Sequence, residues 1–83
     1  MKISVKYFAS IREGVGQASE WVDTEALTLG GLRDELIARG GAYSASLARD
    51  RLVRMALNQV MSAESVPLTP GCEVAFFPPV TGG

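Results

Sequence analysis

Histidine is absent from this 83-residue chain, and cysteine occurs only once, as Cys72. Without His or a second Cys, the chain lacks the residues for a zinc site, a Cys/His nucleophile pair or a Ser/His/Asp triad. We therefore do not expect a metal site, or hydrolytic chemistry by the chain alone. An internal disulfide is impossible, and we interpret Cys72 as a small structural residue and not as a redox thiol.

Concentrated positive charge is also missing. The eight Lys and Arg residues are scattered and are outnumbered by nine Asp and Glu residues, which gives a net charge of −1. This distribution argues against nucleic acid and against an anionic membrane surface as partners. No run approaches the ~18 apolar residues of a membrane span, and the first residues lack the apolar stretch of a signal peptide. We expect a cytoplasmic protein.

Hydrophobic residues make up 47% of the chain, enough for the single core that a domain of this length can build. Residues 2–8 alternate between apolar and polar types, which predicts a half-buried strand. Residues 19–22 predict its antiparallel return, and residues 9–16 predict a turn or a single helical turn between the two strands.

Leucines at helical spacing predict the main helix, with Ile37 on the same stripe. Thr28 is the expected N-cap, and Gly40 with Gly41 is the expected stop. Each of Gly30 and Gly31 costs about 1 kcal/mol inside a helix relative to Ala. We therefore expect the regular helix to begin near Leu32. A second short helix is predicted within residues 42–50.

The second half of the chain predicts a hairpin and a final strand. Residues 52–57 and 60–61 flank Asn58-Gln59, where Asn tolerates the left-handed conformation of a tight turn. Thr69-Pro70-Gly71-Cys72 fits a type II turn, and residues 73–77 form the last strand. The fold class is α+β, a mixed sheet packed on one main helix. The predicted core consists of Ile3, Val5, Tyr7, Leu32, Leu36, Ile37, Leu57, Val74 and Phe76.

The chain ends in Phe77-Pro78-Pro79-Val80-Thr81-Gly82-Gly83. Pro78 cannot donate a backbone hydrogen bond, so sheet pairing stops there, and the prolines favour a stiff exit. We divide the chain into a domain, residues 1–77, and a flexible tail, residues 78–83, with a reach of at most about 20 Å. Gly82 and Gly83 have no side chains, so a narrow channel can admit them. The tail predicts activation of its terminal carboxyl by a partner.

Several motifs resemble the small, sulfur-carrying subunits of molybdopterin synthase, a family with the ubiquitin-like β-grasp fold. They are Tyr7-Phe8-Ala9, Ile11-Arg12-Glu13, Leu57-Asn58-Gln59, Leu68-Thr69-Pro70-Gly71 and the run from Glu73 to Gly83. The final Phe-Phe-Pro-Pro-Val-Thr-Gly-Gly is the most specific part. Gly-Gly alone would also fit ubiquitin and the thiamine sulfur carrier.

The resemblance implies a defined cycle. An ATP-dependent enzyme adenylates Gly83, a sulfurtransferase system converts the glycyl adenylate to a thiocarboxylate, and residues 78–82 insert into the large catalytic subunit. Sulfur then passes to cyclic pyranopterin monophosphate during molybdenum cofactor biosynthesis. The chain binds no cofactor itself and is not catalytic alone. A ubiquitin-like modifier, a sulfur carrier for another pathway and a binding module with an inert tail are the alternatives.

Three residues are candidates for partner binding. Neighbouring strand residues point to opposite faces, so Phe77 faces outward if Phe76 is in the core, and Phe8 faces outward if Tyr7 is in the core. Exposed aromatics beside the tail would form a docking patch, although both could instead cover a small satellite cluster. Arg12 follows the first strand and would pair with an acidic group on a partner or remain a solvated surface charge. We interpret Met55 and Met61 as packing residues.

Overall fold

A computed structural model describes residues 1–79, which form one mixed sheet covered on one face by helices. Val80, Thr81, Gly82 and Gly83 lie outside the described residues. The elements are β1 (Lys2–Tyr7), α1 (Ala9–Val15), β2 (Ser19–Asp23), α2 (Leu29–Ile37), α3 (Gly41–Leu47), β3 (Arg54–Leu57), β4 (Val60–Met61) and β5 (Glu73–Phe77). The strand order is β2-β1-β5-β3-β4. β1 and β5 are parallel, and the other neighbouring pairs are antiparallel. The predicted α+β class is confirmed.

The first hairpin follows the alternation of its sequence. Ile3, Val5 and Tyr7 are buried on the helix-covered face, and β2 pairs antiparallel with β1 as predicted. The connection is longer than the single helical turn that we expected. α1 has seven residues and ends at Gly16, whose φ of 89° is the left-handed conformation that glycine adopts without strain.

α2 begins at Leu29, so the predicted start near Leu32 is wrong, although the Thr28 cap is confirmed. The Thr28 hydroxyl accepts a 3.1 Å hydrogen bond from the Gly31 amide. The Gly30 amide donates to the Glu64 carbonyl at 2.9 Å, and a Cβ on Gly30 would approach the Glu64 side chain to 2.9 Å. Close packing against this distant segment offsets the low helix propensity of glycine. The helix ends at Ile37, before the predicted stop.

The predicted second short helix is confirmed as α3. The predicted hairpin is confirmed as β3 and β4, with positive φ at both Asn58 and Gln59. The type II turn is consistent with a φ of 77° at Gly71 and a 3.1 Å bond from the Cys72 amide to the Thr69 carbonyl. β5 has the predicted bounds.

The core lies between the three helices and the inward face of the sheet. Every predicted core residue is buried except Ile37 and Leu57, which are half-buried at its margin. Cys72 is buried, as expected of a structural residue. The predicted core omitted Ile11, Leu29 and Leu47, whereas the interpretation of Met55 as a packing residue is confirmed by its burial. No helix within residues 1–79 is long and apolar enough to cross a membrane.

Candidate functional site

The candidate site is the end of the sheet at which the chain leaves the fold. Because β1 and β5 are parallel neighbours, both finish at the same edge, with Tyr7 opposite Phe76. The Phe8 amide donates a 3.1 Å hydrogen bond to the Phe76 carbonyl. This bond places the backbone of Phe8 directly beside the residues that lead into the tail.

Two successive phenylalanines of β5 have opposite environments. Phe76 is fully buried under the helices, whereas Phe77 is half-buried and faces outward. The same alternation leaves 46% of Phe8 exposed after buried Tyr7. The predicted outward orientation of both aromatics is therefore confirmed. Phe77 ends β5, and Phe8 directly follows the neighbouring strand β1 at the tail exit.

Met61 extends this apolar surface onto β4. It pairs with Ala56, which in turn pairs with Ala75 of β5, so all three lie on the uncovered face of the sheet. Met61 is 51% exposed, and our interpretation of it as a packing residue is wrong. We call Phe8, Ala56, Met61, Ala75 and Phe77 the outer apolar face. The exposure of Met61 could have been predicted from the register of the β3–β4 hairpin, which pairs Met61 with Ala56.

Arg12 is exposed on α1, four residues after Phe8 and therefore on its side of that helix. Within residues 1–79, its guanidinium forms no ion pair. The position near the tail exit agrees with the expectation. The acidic partner that we expected for Arg12 stays a prediction.

The prolines of the tail remain partly packed on the domain. Pro78 and Pro79 are half-buried, and Pro78 lines an open cavity of about 680 Å³. The other walls come from α1, α3 and residues 50–53, including Ile11, Leu52 and Val53. The predicted insertion residues Val80, Thr81 and Gly82 and the predicted reactive residue Gly83 lie beyond the described part of the chain.

A polar network under β1 fixes this end of the sheet. The Glu20 carboxylate accepts hydrogen bonds from the hydroxyls of Tyr7 and Tyr43, both at 2.8 Å, and from Arg39 at 2.9 Å. Burial opposes ionisation of Glu20, but the hydrogen bonds from Arg39, Tyr43 and Tyr7 outweigh it and lower the pKa of Glu20. Burial, with the neighbouring Glu20 carboxylate, raises the pKa of Tyr7. Tyr7 therefore stays neutral as a donor.

Tyr7 also links this network to the strand that carries the tail. Its ring stacks on Phe76, with centroids 6.2 Å apart and planes at 16°. Tyr43 of α3 meets the Tyr7 ring edge-on at 6.3 Å. Sequence reasoning did not identify Glu20, Arg39 or Tyr43, because these residues are distant in sequence and carry no motif. Their contacts connect the end of β1 to β2, to α3 and to β5, which leads into the tail.

The chemistry available within residues 1–79 is that of a binding surface. No group of three or more His, Cys, Asp or Glu side chains in these residues could hold a metal ion. The thiol of Cys72 is buried, so it is not presented to a substrate. The arrangement brings Pro78 and Pro79 to one end of the sheet, beside exposed apolar side chains.

Comparison with known proteins agrees with this arrangement. Residues 5–83 match the sequence profile of the ThiS family. The chain belongs to the ThiS family. A curated relative named molybdopterin synthase sulfur carrier subunit, from Escherichia coli, is 41% identical over 81 residues, which cover 98% of this chain and 99% of the relative.

Solved structures place this ThiS family member among ubiquitin-like β-grasp proteins, which confirms the predicted fold. SAMP1 from Haloferax volcanii superposes with a TM-score of 0.78, at 26% identity and with complete coverage of both chains. A complex of subunits 1 and 2 of the molybdopterin-converting factor from Helicobacter pylori contains a chain with a TM-score of 0.67, at 25% identity and again with complete coverage. The Helicobacter pylori chain is therefore observed in association with a second subunit.

Proposed function

We propose that this chain is the sulfur-carrier subunit of a molybdopterin synthase. Its terminal residue, Gly83, is adenylated, converted to a thiocarboxylate, and donates sulfur to cyclic pyranopterin monophosphate. The observation that carries the proposal is the parallel β1–β5 pair, which directs the C-terminal segment out of the sheet beside Phe8 and Phe77. The 41% identity to a relative of that name supports the same function.

The proposed chemistry needs only the terminal carboxyl from this chain. A carboxylate is a poor acyl donor, so an ATP-dependent adenylating enzyme first joins it to AMP and releases pyrophosphate. Sulfur from a sulfurtransferase system then displaces AMP, either as hydrosulfide or as a persulfide whose acyl disulfide product is reduced by a thiol, and leaves the thiocarboxylate on Gly83. The acid and base groups belong to the partners, which agrees with a chain without histidine. The use of ATP favours the cytoplasm.

We assign the outer apolar face to partner docking. Phe8 and Met61 are about half exposed, and Phe77 completes the apolar surface at the tail exit. Aromatic and Met side chains are enriched at protein interfaces, where a few of them dominate the binding energy. The large catalytic subunit would cover this face while Pro78–Gly82 enter its active site. The Helicobacter pylori complex supports a two-subunit assembly.

A second function uses the same activated terminus. A structural relative from Haloferax volcanii is named small archaeal modifier protein 1 and has a TM-score of 0.76. Attack of a Lys amine on an activated Gly83 would give an isopeptide bond to another protein instead of a sulfur transfer. Supply of sulfur to a different pathway is the related alternative.

Intact mass spectrometry tests the proposal. The chain is incubated with ATP, the adenylating enzyme and a sulfur source, and fragmentation locates the modification. Exchange of one oxygen for sulfur on Gly83 is expected. A chain that lacks Gly83 is the control and stays unmodified. Complete absence of the exchange under conditions that modify the Escherichia coli relative would reject both carrier functions.

Reconstitution then distinguishes the synthase function from the modifier function. The thiocarboxylated chain is mixed with a large synthase subunit and cyclic pyranopterin monophosphate, and product formation is followed. Transfer of sulfur to the pterin is expected. If the loaded chain instead forms only isopeptide-linked conjugates with Lys-containing proteins, the modifier function replaces the synthase function.

A further inference from the structure

Half of the basic side chains of the described residues, four of eight, have an acidic partner. Lys6 pairs with Glu73 at 3.1 Å, and Arg39 pairs with Glu20 at 2.9 Å. Arg33 and Arg49 share Glu64. Within residues 1–79, the basic side chains that form no ion pair are Lys2, Arg12, Arg51 and Arg54.

Two of these arginines flank the residues that lead into the tail. Arg54 is the first residue of β3 and lies opposite Phe77 in the antiparallel register. Arg51 lines the cavity to which Pro78 also contributes. Both side chains belong to exposed residues. Near the point where the chain leaves the sheet, Arg51 and Arg54 therefore have no carboxylate partner among residues 1–79.

A buried arginine fixes the segment that carries Arg51. Arg33 is only 4% exposed, and its guanidinium donates to the carbonyls of Leu47, Ala48 and Arg51 at 2.8, 2.7 and 3.1 Å. The first two bonds satisfy carbonyls at the end of α3 that have no partner within the helix, and the third holds the carbonyl of Arg51 itself. The backbone at Arg51 is thus held before any partner arrives, which lowers the entropy cost of binding there.

Apolar surface separates the two arginines. Leu52 is 80% exposed, and the neighbouring cavity is lined by Ile11, Val53 and Pro78. Acidic groups are also near, since Asp50 lines the same cavity and Glu13 follows Arg12 on α1. Arg12, Arg51 and Arg54 still outnumber them, so this end carries positive charge on a chain whose net charge is −1.

We propose that Arg51, Leu52 and Arg54 form a recognition edge for an acidic segment of a protein partner. Carboxylates of that segment pair with the two guanidinium groups, and an apolar side chain beside them contacts Leu52 and enters the cavity. Arginine suits this contact because its planar fork binds a carboxylate in two places. The inference rests on the proposed function, since the partner is a protein that acts on Gly83. The edge adjoins the outer apolar face through Phe77.

Charge-neutralising variants test this edge, and the chain supplies a matched control. The variants are Arg51→Gln, Arg54→Gln and their combination, and the control is Lys2→Gln. Lys2 is another exposed, unpaired cation, but it lies at the opposite end of β1. Binding to the adenylating enzyme and to the large subunit is measured at low and at high salt, after thermal melting has shown that each variant is folded.

For at least one of the two proteins, the double variant is expected to associate about fivefold more slowly at low salt, and Lys2→Gln to behave as the wild type. The difference should shrink in high salt, because exposed charges are screened. Leu52→Ser should speed dissociation from the same protein. Arg51→Lys and Arg54→Lys should retain most of the association rate.

Failure of the recognition edge and failure of the proposed function can be told apart. If the wild-type chain binds either partner and the double variant binds as tightly and as fast, the recognition edge does not exist while the proposed function stands. An equal loss in the Lys2→Gln control would also overturn it, because net charge would then explain the effect. If the wild-type chain is neither bound nor modified by the two proteins, the proposed function fails and the inference fails with it.

Discussion

Tyr7 of β1 donates a 2.8 Å hydrogen bond from its hydroxyl to the carboxylate of Glu20 in β2. The same Tyr7 ring stacks on Phe76 of β5, so one side chain joins three adjacent strands. Tyr43, Arg39 and Gln17 complete the donors around Glu20. The hydrogen bonds that hold the tail-bearing end of the sheet therefore depend on the ionised carboxylate of Glu20.

Acid should weaken the domain through Glu20. The pKa of Glu20 is lowered in the folded chain. Ionised Glu20 therefore adds to the free energy of unfolding above its unfolded pKa of about 4.3, and this stabilisation is lost as the pH falls through its folded pKa. Glu20→Gln should cost about 2 kcal/mol at pH 7 and reduce the fall in thermal midpoint between pH 7 and pH 3. Melting curves against pH measure both. Exposed Glu25 supplies the control, and an equal change in Glu25→Gln would contradict the assignment.

Substitutions at Phe76 and at Phe77 should have different effects, the first on the stability of the domain and the second on partner binding. Phe76→Ala removes a fully buried ring and should destabilise the domain by about 3 to 5 kcal/mol. Phe77→Asp changes an outward residue and should weaken binding to the large subunit by about tenfold or more, with a much smaller loss of stability. Denaturant titration and calorimetric binding give the two values. Unchanged affinity of Phe77→Asp would dismiss the docking face.

Arg33 should be essential to stability, and Arg49 much less so. Arg33→Met removes the donor to the buried Leu47 carbonyl and to the partly buried carbonyls of Ala48 and Arg51, which should cost about 2 to 4 kcal/mol. Arg49 pairs with Asp34 and Glu64 at the surface, where Arg49→Met should cost about 1 kcal/mol or less. Urea unfolding compares the two variants. Similar losses would show that the carbonyl bonds of Arg33 contribute little.

Gln59→Gly should stabilise the β3–β4 hairpin. Gln59 has a φ of 68°, a left-handed conformation that costs a residue with a side chain about 1 to 2 kcal/mol. Glycine removes this strain and gives the Asn-Gly pair that tight hairpin turns prefer. An increase of about 1 kcal/mol in the free energy of unfolding is expected. The matched variant Ser65→Gly, in an exposed loop, should give no such gain.

Local patterns were enough to predict much of the fold. Alternation fixed the buried faces of β1 and β5, and turn residues placed Asn58-Gln59 and Gly71 correctly. The start of α2 was wrong because Gly30 is held by the carbonyl of Glu64, a contact across a long stretch of sequence. Helix propensity reflects only the conformational preference of the residue itself, so it cannot predict a contact with a partner distant in sequence.

The candidate site was predictable in part for the same reason. Phe8 and Phe77 follow from alternation along single strands. Met61 does not, because its exposure depends on pairing with Ala56 and on the lack of a helix over that face. Arg51 and Arg54 look like ordinary surface charges in the sequence, and their position beside Phe77 and Pro78 appears only in the folded chain.

β5 is the last strand in the sequence, yet it lies between β1 and β3 in the sheet. A nascent chain on the ribosome cannot close this sheet until residues 73–77 have left the exit tunnel, since both neighbours need β5 as their partner. The contacts that complete the fold are thus the most distant in sequence. An unfinished or truncated chain would have neither the folded outer apolar face nor the tail. A partner that binds this face as proposed would therefore bind only chains that extend through β5.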